Sequence, residues 1–484
     1  MQQTKNIWIN ICQELRCYKL LEVKKLSTKN IDVPFLPQPK KIVLNGKKCH
    51  VQGSTKISTN VIDSINFDYL FSLAGFFFTK KEDIITEDLS VKYLIIGNIP
   101  EHINLKPDNS GEEAYALETS EDTIIIAANT EKGLALGVKL IVRLNKYSLL
   151  SEGLYVQDYP DVDFRGVHMC LFRPNDGTEK EDTDLESVRR RLIVASLANY
   201  NYVFLEFWGM FPYKKQPFAK WPEAYTWDEV QSLVDFVLYD LHMIPCPIQN
   251  MTSHAAWSRL SSRQHVMLDQ HPEKKNLYIQ GGWCFATERE ETKAFLRDVM
   301  DDLIEMFHNP PLFHCSCDKC FGFGSEEEDR TKPADVLFVR HISFLHDYLA
   351  SKGVRMVMWS DMLYSSMDTM IWKCAPSTTD FLPKDILINI WTHNDPGNYW
   401  NDIDFFESKG FQTIYSPFFN KAGAGSMVKL CKQHHSLGIL QTTWHKPETA
   451  LNTIAYTGGI QWGDVSGKPD EENRLSECIN AYSE

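Results

Sequence analysis

The chain has 484 residues, of which 43% are hydrophobic and 12% aromatic, enough for one large domain and a smaller one, each with a buried core. Its 50 Lys and Arg residues are outnumbered by 64 Asp and Glu residues, which gives a net charge of -14. Without a basic stripe, this balance argues against nucleic acid or an anionic membrane as a partner.

The first 30 residues interrupt every apolar stretch with Lys, Glu or Asn, and no run of eighteen apolar residues occurs in the chain. Neither a spanning helix nor a signal peptide is therefore expected. We predict a cytoplasmic protein, unless a signal peptide was removed before this numbering begins. The 12 Cys residues are scattered through a large chain, which favours reduced thiols over disulfides. The oligomeric state is not predicted from the sequence.

Three segments are predicted in chain order. Residues 1–32 form an N-terminal segment, residues 33–157 a small α+β domain, and residues 158–484 a second domain. In the α+β domain, strand-like pieces at 41–44, 93–96 and 123–128 precede a helix-like piece at 131–144. A run rich in Pro and Asp, at 158–163, is typical of a hinge between the two domains.

Beyond residue 160, short apolar strands alternate with amphipathic helices. We predict eight strands, at 166–172, 202–207, 243–248, 312–315, 355–358, 386–391, 413–415 and 439–443. Helical periodicity lies between them at 185–198, 227–241, 292–307, 336–350 and 427–434. This order predicts an α/β protein in which a (β/α)8 TIM barrel follows the smaller α+β domain. A doubly wound sheet is the structural alternative.

Reactive and aromatic side chains follow the predicted strands, where barrels of this class carry their active sites. They are Cys170, Arg173, Glu206, Trp208, His254, Asp318, Lys319, Trp359, Asp361, Trp391, His393, Trp444 and His445. Tryptophan is prominent in this set. Indole rings stack on the apolar faces of sugars while Asp and Arg bind hydroxyl groups, so the pattern predicts a carbohydrate site. The alternative is that the Trp residues fill the outer helix layer.

Runs of sequence across nearly the whole chain are similar to one family. They are Leu36-Pro37-Gln38-Pro39, the helix Gly133-Leu134-Ala135-Leu136-Gly137-Val138, Phe164-Arg165-Gly166, Leu205-Glu206-Phe207-Trp208-Gly209, Ser253-His254, Trp359-Ser360-Asp361-Met362 and Thr443-Trp444. Together these runs resemble the family 20 glycoside hydrolases, the β-N-acetylhexosaminidases, and among them the hexosaminidase D-like branch. The resemblance implies a site for N-acetylhexosaminides, bound by Arg165, Glu206, His254, Trp359, Asp361, Trp391 and Trp444.

The fourth predicted strand carries the most informative run. The family has His-x-Gly-x-Asp-Glu there, and this chain has His314-Cys315-Ser316-Cys317-Asp318-Lys319. In the family, the aspartate orients the substrate's 2-acetamido group, whose carbonyl oxygen attacks the anomeric carbon, and the glutamate protonates the departing oxygen. The resemblance therefore implies substrate-assisted catalysis with Asp318 and Lys319 at the catalytic positions, Lys319 replacing the acid.

That replacement leaves two functions open. The first is a divergent exo-β-N-acetylhexosaminidase acting on glycans with terminal N-acetylhexosamine, with a rearranged acid such as Glu206, Asp361 or Asp395. The second is a carbohydrate-binding pseudoenzyme that has the pocket without the general acid. Lys319 can donate a proton only if its pKa falls from about 10.4 towards neutrality, and Asp318 acts in the opposite direction.

Cys315, Cys317 and Cys320 beside His314 superficially resemble metal ligands. Structural zinc normally takes two ligand pairs from separate elements, and buried Cys more commonly acts as a small hydrophobic residue. We therefore expect no metal and no cofactor. His254 and His314 are predicted to orient Asp318 or its neighbours through hydrogen bonds.

Overall fold

A computed structural model describes residues 31–51, 53–61, 66–84, 90–171, 184–256, 266–279, 281–320, 322–327, 329–363, 374–391, 400–444 and 447–463. Most of the predicted N-terminal segment, and Arg173, His393, Asp395 and His445, lie outside these residues. The chain divides into two compact units. Pro39–Tyr159 belong to the first, and the second takes the chain from Pro160 together with Phe35–Gln38.

The first unit is a seven-stranded sheet with helices against it. Its strands are β1 (Lys41–Leu44), β2 (Ser54–Thr59), β3 (Phe77–Asp83), β4 (Lys92–Gly97), β5 (Tyr115–Thr119), β6 (Thr123–Ala128) and β7 (Leu154–Asp158), in the spatial order β1-β7-β5-β6-β4-β2-β3. Its helices are α1 (Asp68–Leu73) and α2 (Glu131–Lys146). The Thr130 side chain accepts a hydrogen bond from the Lys132 backbone N–H and so caps the start of α2.

The second unit is a closed parallel barrel. Its strands are β8 (Phe164–Cys170), β9 (Tyr202–Glu206), β10 (Ile244–Ile248), β11 (Leu312–His314), β12 (Arg355–Trp359), β13 (Leu387–Trp391), β14 (Thr413–Ser416) and β15 (Gly438–Gln441). All eight predicted strands are present, with ends within two residues of the prediction. Because β15 pairs with β8, the sheet closes and the doubly wound alternative is wrong. The predicted TIM barrel with a preceding α+β domain is confirmed.

Helices surround the barrel. They are α3 (Leu185–Leu197), α4 (Trp227–Asp235), α5 (Val266–Gln270), α6 (Glu290–Met306), α7 (Ala334–Ser351), α8 (Trp400–Ser408), α9 (Lys421–Gln433) and α10 (Pro447–Trp462). A capping box between Thr226 and Glu229 begins α4. The helix predicted over 227–241 is α only to Asp235 and continues as a π-turn at Phe236–Asp240.

Apolar side chains from the strands fill the barrel interior. They include Phe164, Phe204, Cys246, Ile248, Leu312, Val357, Trp359, Leu387, Ile414 and Leu440. The interior is therefore a packed core and not a channel, as is usual in barrels of eight parallel strands. A ligand site must then lie above this core, where the strands end and the loops begin.

Gly438 is required where β15 closes the barrel against β8. Its φ is 151°, and a Cβ built on it would lie 1.9 Å from the Phe164 carbonyl oxygen. Gly438→Ala is therefore expected to lower the free energy of unfolding by about 3 kcal/mol, through overpacking added to backbone strain. Urea denaturation followed by tryptophan fluorescence measures the loss.

Gly410→Ala is the matched control for this substitution. Gly410 also has a positive φ, of 84°, but no atom lies within 4 Å of the position of its Cβ. Only the conformational cost applies there, about 1 kcal/mol. Equal losses of unfolding free energy in the two variants would contradict the close approach of Gly438 to Phe164 where β15 pairs with β8.

Candidate active site

The loop after β11 carries Asp318 and Lys319 in an unusual backbone conformation. Ser316, Cys317 and Lys319 have φ values of 58°, 65° and 46°, in the left-handed region that residues with a Cβ seldom adopt. Ser316 stands where the family motif has Gly. Backbone hydrogen bonds fix the loop, because Ser316 N–H donates to His314 Nδ1 over 3.0 Å and its carbonyl accepts from Trp359 N–H over 2.9 Å. Such strain commonly marks functional sites.

The carboxylate of Asp318 is buried at the mouth of the barrel. Its Oδ2 accepts a hydrogen bond from Lys319 Nζ over 2.7 Å and lies 3.9 Å from His254 Nε2. No hydrogen-bond donor in the described part of the chain reaches the buried Oδ1. Burial acts to raise the pKa of Asp318, but the charges of Lys319 and His254 outweigh it and hold the pKa below its usual value. A buried carboxylate oxygen is thus left without a described hydrogen-bond donor.

Lys319 is held as a cation. Burial acts to lower its pKa, yet Asp318, Asp361 and Glu206 together raise the pKa above its ordinary value. Its side chain is 30% exposed, and Nζ lies 5.8 Å from the centre of the Trp391 ring. An ammonium with a raised pKa is a poor proton donor at neutral pH. The geometry therefore makes Lys319 a counter-charge for Asp318 and disfavours it as the general acid.

Asp361 lies beside Lys319, two residues after β12. Its Oδ2 accepts from the Lys319 backbone N–H over 3.2 Å, and its Oδ1 from Trp391 Nε1 over 3.4 Å. Burial, with the nearby negative charge of Asp318, raises the pKa of Asp361 to about 6. This carboxyl group therefore exchanges its proton close to neutral pH.

Glu206, at the end of β9, is buried and accepts three hydrogen bonds. Trp208 Nε1 donates over 2.6 Å and Asn250 Nδ2 over 3.0 Å, both to Oε1. His168 Nε2 lies 2.9 Å from Oε2, and His168 Nδ1 accepts from the Thr443 backbone N–H. The proton of this imidazole is therefore on Nε2, which donates to Glu206. Glu206 fixes the rings around the mouth.

Aromatic rings line the strand ends. Trp359 packs on His314 at a centroid distance of 4.4 Å, and Trp444 packs on His168 at 4.3 Å. Both Trp side chains contact the apolar core of the barrel, so they are not part of the outer helix layer. Trp391 is partly exposed beside Lys319. Three predicted Trp residues thus surround the top of the core.

His254 and Trp283 position the Asp318 loop from the β10 side. The His254 ring lies between Trp208 and Trp283, at centroid distances of 5.3 and 4.3 Å. Trp283 Nε1 donates to the Lys319 carbonyl over 2.8 Å. Trp283, His168 and Asn250 were not predicted from the sequence. Trp283 lies in a long segment without strand or helix periodicity. Alternate residues of β8 point into the barrel, and this alternation could have indicated His168 as a residue of the site.

The structure does not bring Arg165 to this mouth, which corrects the substrate-binding role predicted for it. Its fully buried guanidinium donates to the backbone carbonyls of Asn199, Val162 and Asp163. It also lies 5.2 Å from the centre of the Trp462 ring. Arg165 is the second residue of β8, at the amino-terminal end of the strand, and its side chain packs towards α10. It stabilises the opposite end of the barrel.

His314 and the neighbouring thiols are buried. Burial lowers the pKa of His314 to about 3, so the imidazole is neutral, and its Nε2 lies 3.2 Å from Asn389 Nδ2. Burial likewise raises the pKa of Cys315, Cys317 and Cys320. Among the described residues, no group of three or more His, Cys, Asp or Glu side chains is placed to hold a metal ion. The thiol-ligand alternative gains no support from this geometry.

Residues 196–432 match the family model of the glycosyl hydrolase family 20 catalytic domain. This range, just under half of the chain, contains each predicted site residue apart from Arg165 and Trp444. No curated protein sequence matches the chain. Within the described ranges, no helix has both the length and the apolar character needed to cross a bilayer.

Solved structures share the fold across both units. A β-N-acetylhexosaminidase from Bacteroides fragilis is 17% identical, with a TM-score of 0.65 over 92% of this chain and 94% of that one. An exo β-N-acetylglucosaminidase from Vibrio harveyi, in complex with N-acetylglucosamine, is 13% identical, with a TM-score of 0.67 over 94% and 78%. A Streptomyces plicatus N-acetyl-β-hexosaminidase is 13% identical, with a TM-score of 0.64 over 94% and 96%. At these identities the similarity shows the fold.

The raised pKa of Asp361 has a consequence for stability. Its folded pKa of about 6 exceeds the ordinary value of 3.8, so the folded state binds its proton more tightly and stability falls as pH rises from about 4 to 6. Between pH 5 and pH 8 we expect this carboxyl group to cost about 1–2 kcal/mol. Asp361→Asn removes that cost, and urea unfolding at the two pH values measures it.

The quantity to compare is the change in unfolding free energy between pH 5 and pH 8, since effects of the amide that do not depend on pH cancel. The loss of stability at pH 8 should be smaller in the variant than in the unsubstituted protein. An identical loss in both proteins would contradict a buried, protonatable Asp361.

Proposed function

We propose that this chain is a divergent member of glycosyl hydrolase family 20, closest to its hexosaminidase D-like branch. In this proposal it removes terminal N-acetylhexosamine from glycans by substrate-assisted hydrolysis. One observation carries the proposal: the buried, ionised Asp318 has an oxygen, Oδ1, that no described donor reaches. A buried acceptor without a donor costs about 1–3 kcal/mol, so a ligand that supplies an N–H is favoured there.

An acetamido group supplies that donor. When its N–H donates to Asp318 Oδ1, the carboxylate draws positive charge onto the nitrogen and makes the carbonyl oxygen a stronger nucleophile. That oxygen then attacks the anomeric carbon as the glycosidic bond breaks, and water opens the resulting ring. Lys319 keeps Asp318 ionised for this step.

The aromatic mouth suits a sugar ring. Trp359 belongs to the barrel core at the carboxyl end of β12, Trp444 packs against that core, and Trp391 borders Lys319. Indole faces stack on the apolar faces of pyranoses, and His254 is placed to contact a hydroxyl near Asp318. Glu206 supports this wall through Trp208 and His168. The family match over residues 196–432 and the N-acetylglucosamine held by the Vibrio harveyi structure support the same sugar class.

A carbohydrate-binding pseudoenzyme is the second candidate. The observation that favours it is the cationic Lys319 at the position where the family carries its proton donor. In that case the pocket binds N-acetylglucosamine and its thiazoline analogue but turns over no glycoside.

Hydrolysis of 4-nitrophenyl N-acetyl-β-glucosaminide tests the proposal, because its good leaving group needs little protonation. We expect measurable turnover in the unsubstituted protein and a loss of about 10²–10³-fold in kcat for Asp318→Asn, which removes the charge that assists the acetamide. Release of nitrophenolate, followed by absorbance, measures both rates.

Asp380→Asn is a suitable control, because Asp380 is an exposed carboxylate paired with Lys409 away from the mouth. Its rate should equal that of the unsubstituted protein. Saturable binding of N-acetylglucosamine without any turnover would favour the pseudoenzyme, and absence of both would contradict a site for this sugar.

A further inference from the structure

The proposed hydrolysis needs a proton donor, and Lys319 is held as a cation at the position where family 20 has one. An alcohol leaving group departs slowly without protonation, and a general acid typically contributes about 10²–10⁴-fold to the rate. Among the described residues, three buried carboxyl groups act on Lys319: Asp318, Asp361 and Glu206. Their hydrogen bonds distinguish them.

Glu206 is unsuited to donate a proton. Its two oxygens accept N–H bonds from Trp208, Asn250 and His168, the shortest of which is 2.6 Å. Both oxygens are therefore engaged by N–H groups of the barrel wall, at shorter distances than the two contacts at Asp361. Its role is therefore to hold the surrounding rings.

Asp318 is also unsuited, because the mechanism uses it as a carboxylate. Lys319 Nζ donates to its Oδ2 over 2.7 Å, and the free Oδ1 is the acceptor for the acetamide N–H. A protonated Asp318 would lose both its ion pair and its ability to assist the acetamide.

Asp361 lies against the backbone of Lys319 and is held by longer hydrogen bonds than Glu206 or Asp318. Its Oδ2 lies 3.2 Å from the backbone nitrogen of Lys319, so the carboxyl group is next to the residue that replaces the family's acid. Its remaining donor, Trp391 Nε1, is 3.4 Å away, which is long for a hydrogen bond. We propose that Asp361 is the general acid of this site, an inference that rests on the proposed hydrolysis.

Proton transfer from Asp361 accompanies cleavage of the glycosidic bond in this proposal. The acetamide carbonyl oxygen forms a bond to C1 as the C1–O bond to the leaving group breaks. The Asp361 proton moves to the departing oxygen, which leaves as a neutral alcohol, and Asp361 becomes a carboxylate. Water then adds to C1 and gives a proton to Asp361 while the acetamide is restored. No oxidant or further reactant is required.

The electrostatics agree with this role. Burial and the charge of Asp318 raise the pKa of Asp361 to about 6, while Lys319 opposes the shift. Within the described residues, the titratable groups that interact with Asp361 include these two and the buried thiols of Cys317 and Cys320. A donor of this strength works near neutral pH, and its activity falls as pH rises through the pKa.

Two substrates test the inference: the disaccharide N,N′-diacetylchitobiose, which needs an acid, and the activated 2,4-dinitrophenyl N-acetyl-β-glucosaminide, which does not. Asp361→Asn is expected to lower kcat/KM for the disaccharide by about 10²–10⁴-fold and for the activated glycoside by less than about threefold. The fall in disaccharide hydrolysis above about pH 6 should disappear in the variant. Retained activity on the activated glycoside shows that the variant is folded.

Asp380→Asn controls for the loss of a carboxylate elsewhere on the barrel and should change neither rate. Equal losses on the two substrates, or no loss on either, would overturn Asp361 as the acid while leaving the hydrolase intact. Hydrolysis of the activated glycoside alone by the unsubstituted protein would also overturn it. No hydrolysis of either substrate by that protein would overturn the proposed function and this inference with it.

Discussion

The ion pair between Asp318 and Lys319 is the interaction on which the mouth of the barrel depends. It joins two successive residues of a loop whose backbone is strained at Ser316, Cys317 and Lys319. Breaking a fully buried pair typically costs about 3–5 kcal/mol, and the partial exposure of Lys319 places this pair below that range. Its main effect is on charge, because it keeps Asp318 ionised although the carboxyl group is buried.

The three buried carboxyl groups of the mouth lie in different environments, and the ion pair of Asp318 is one of them. Glu206 is fixed by three N–H donors and Asp318 is paired with an ammonium. Asp361 accepts hydrogen bonds of 3.2 and 3.4 Å and has a pKa of about 6. Their environments separate them, as in enzymes that use carboxyl groups both as acids and as carboxylates. In the proposed hydrolysis, Lys319 pairs with Asp318, and the proton comes from Asp361 instead of from a glutamate at position 319.

The barrel could be predicted from sequence because its strands are short, buried apolar runs separated by amphipathic helices. The sheet of the first unit was harder to predict from the sequence. β3 is rich in Lys, Glu and Asp and its side chains are mostly exposed, so periodicity did not indicate it. β7 borders the predicted hinge and was overlooked.

The site shows what sequence similarity leaves undetermined. Asp318, Lys319, Asp361 and Trp391 come together because they lie at or just after the ends of β11, β12 and β13, which are neighbours in the barrel, and order along the chain predicts this. The order of the strands does not by itself give the direction of a side chain. Phe164 and His168 of β8 face the interior, so Arg165, at odd spacing, faces the helices, and alternation along the strand would have shown this. Trp283 was beyond prediction, since only the tertiary fold brings its indole to the Lys319 carbonyl.

The decisive measurement is a crystal structure of the protein with N-acetylglucosamine thiazoline, an analogue of the cyclised acetamide intermediate. We predict that the thiazoline nitrogen lies about 3 Å from Asp318 Oδ1, with the sugar ring against the indoles of the mouth. A thiazoline bound away from Asp318, or a mouth that stays empty at saturating ligand, would contradict it.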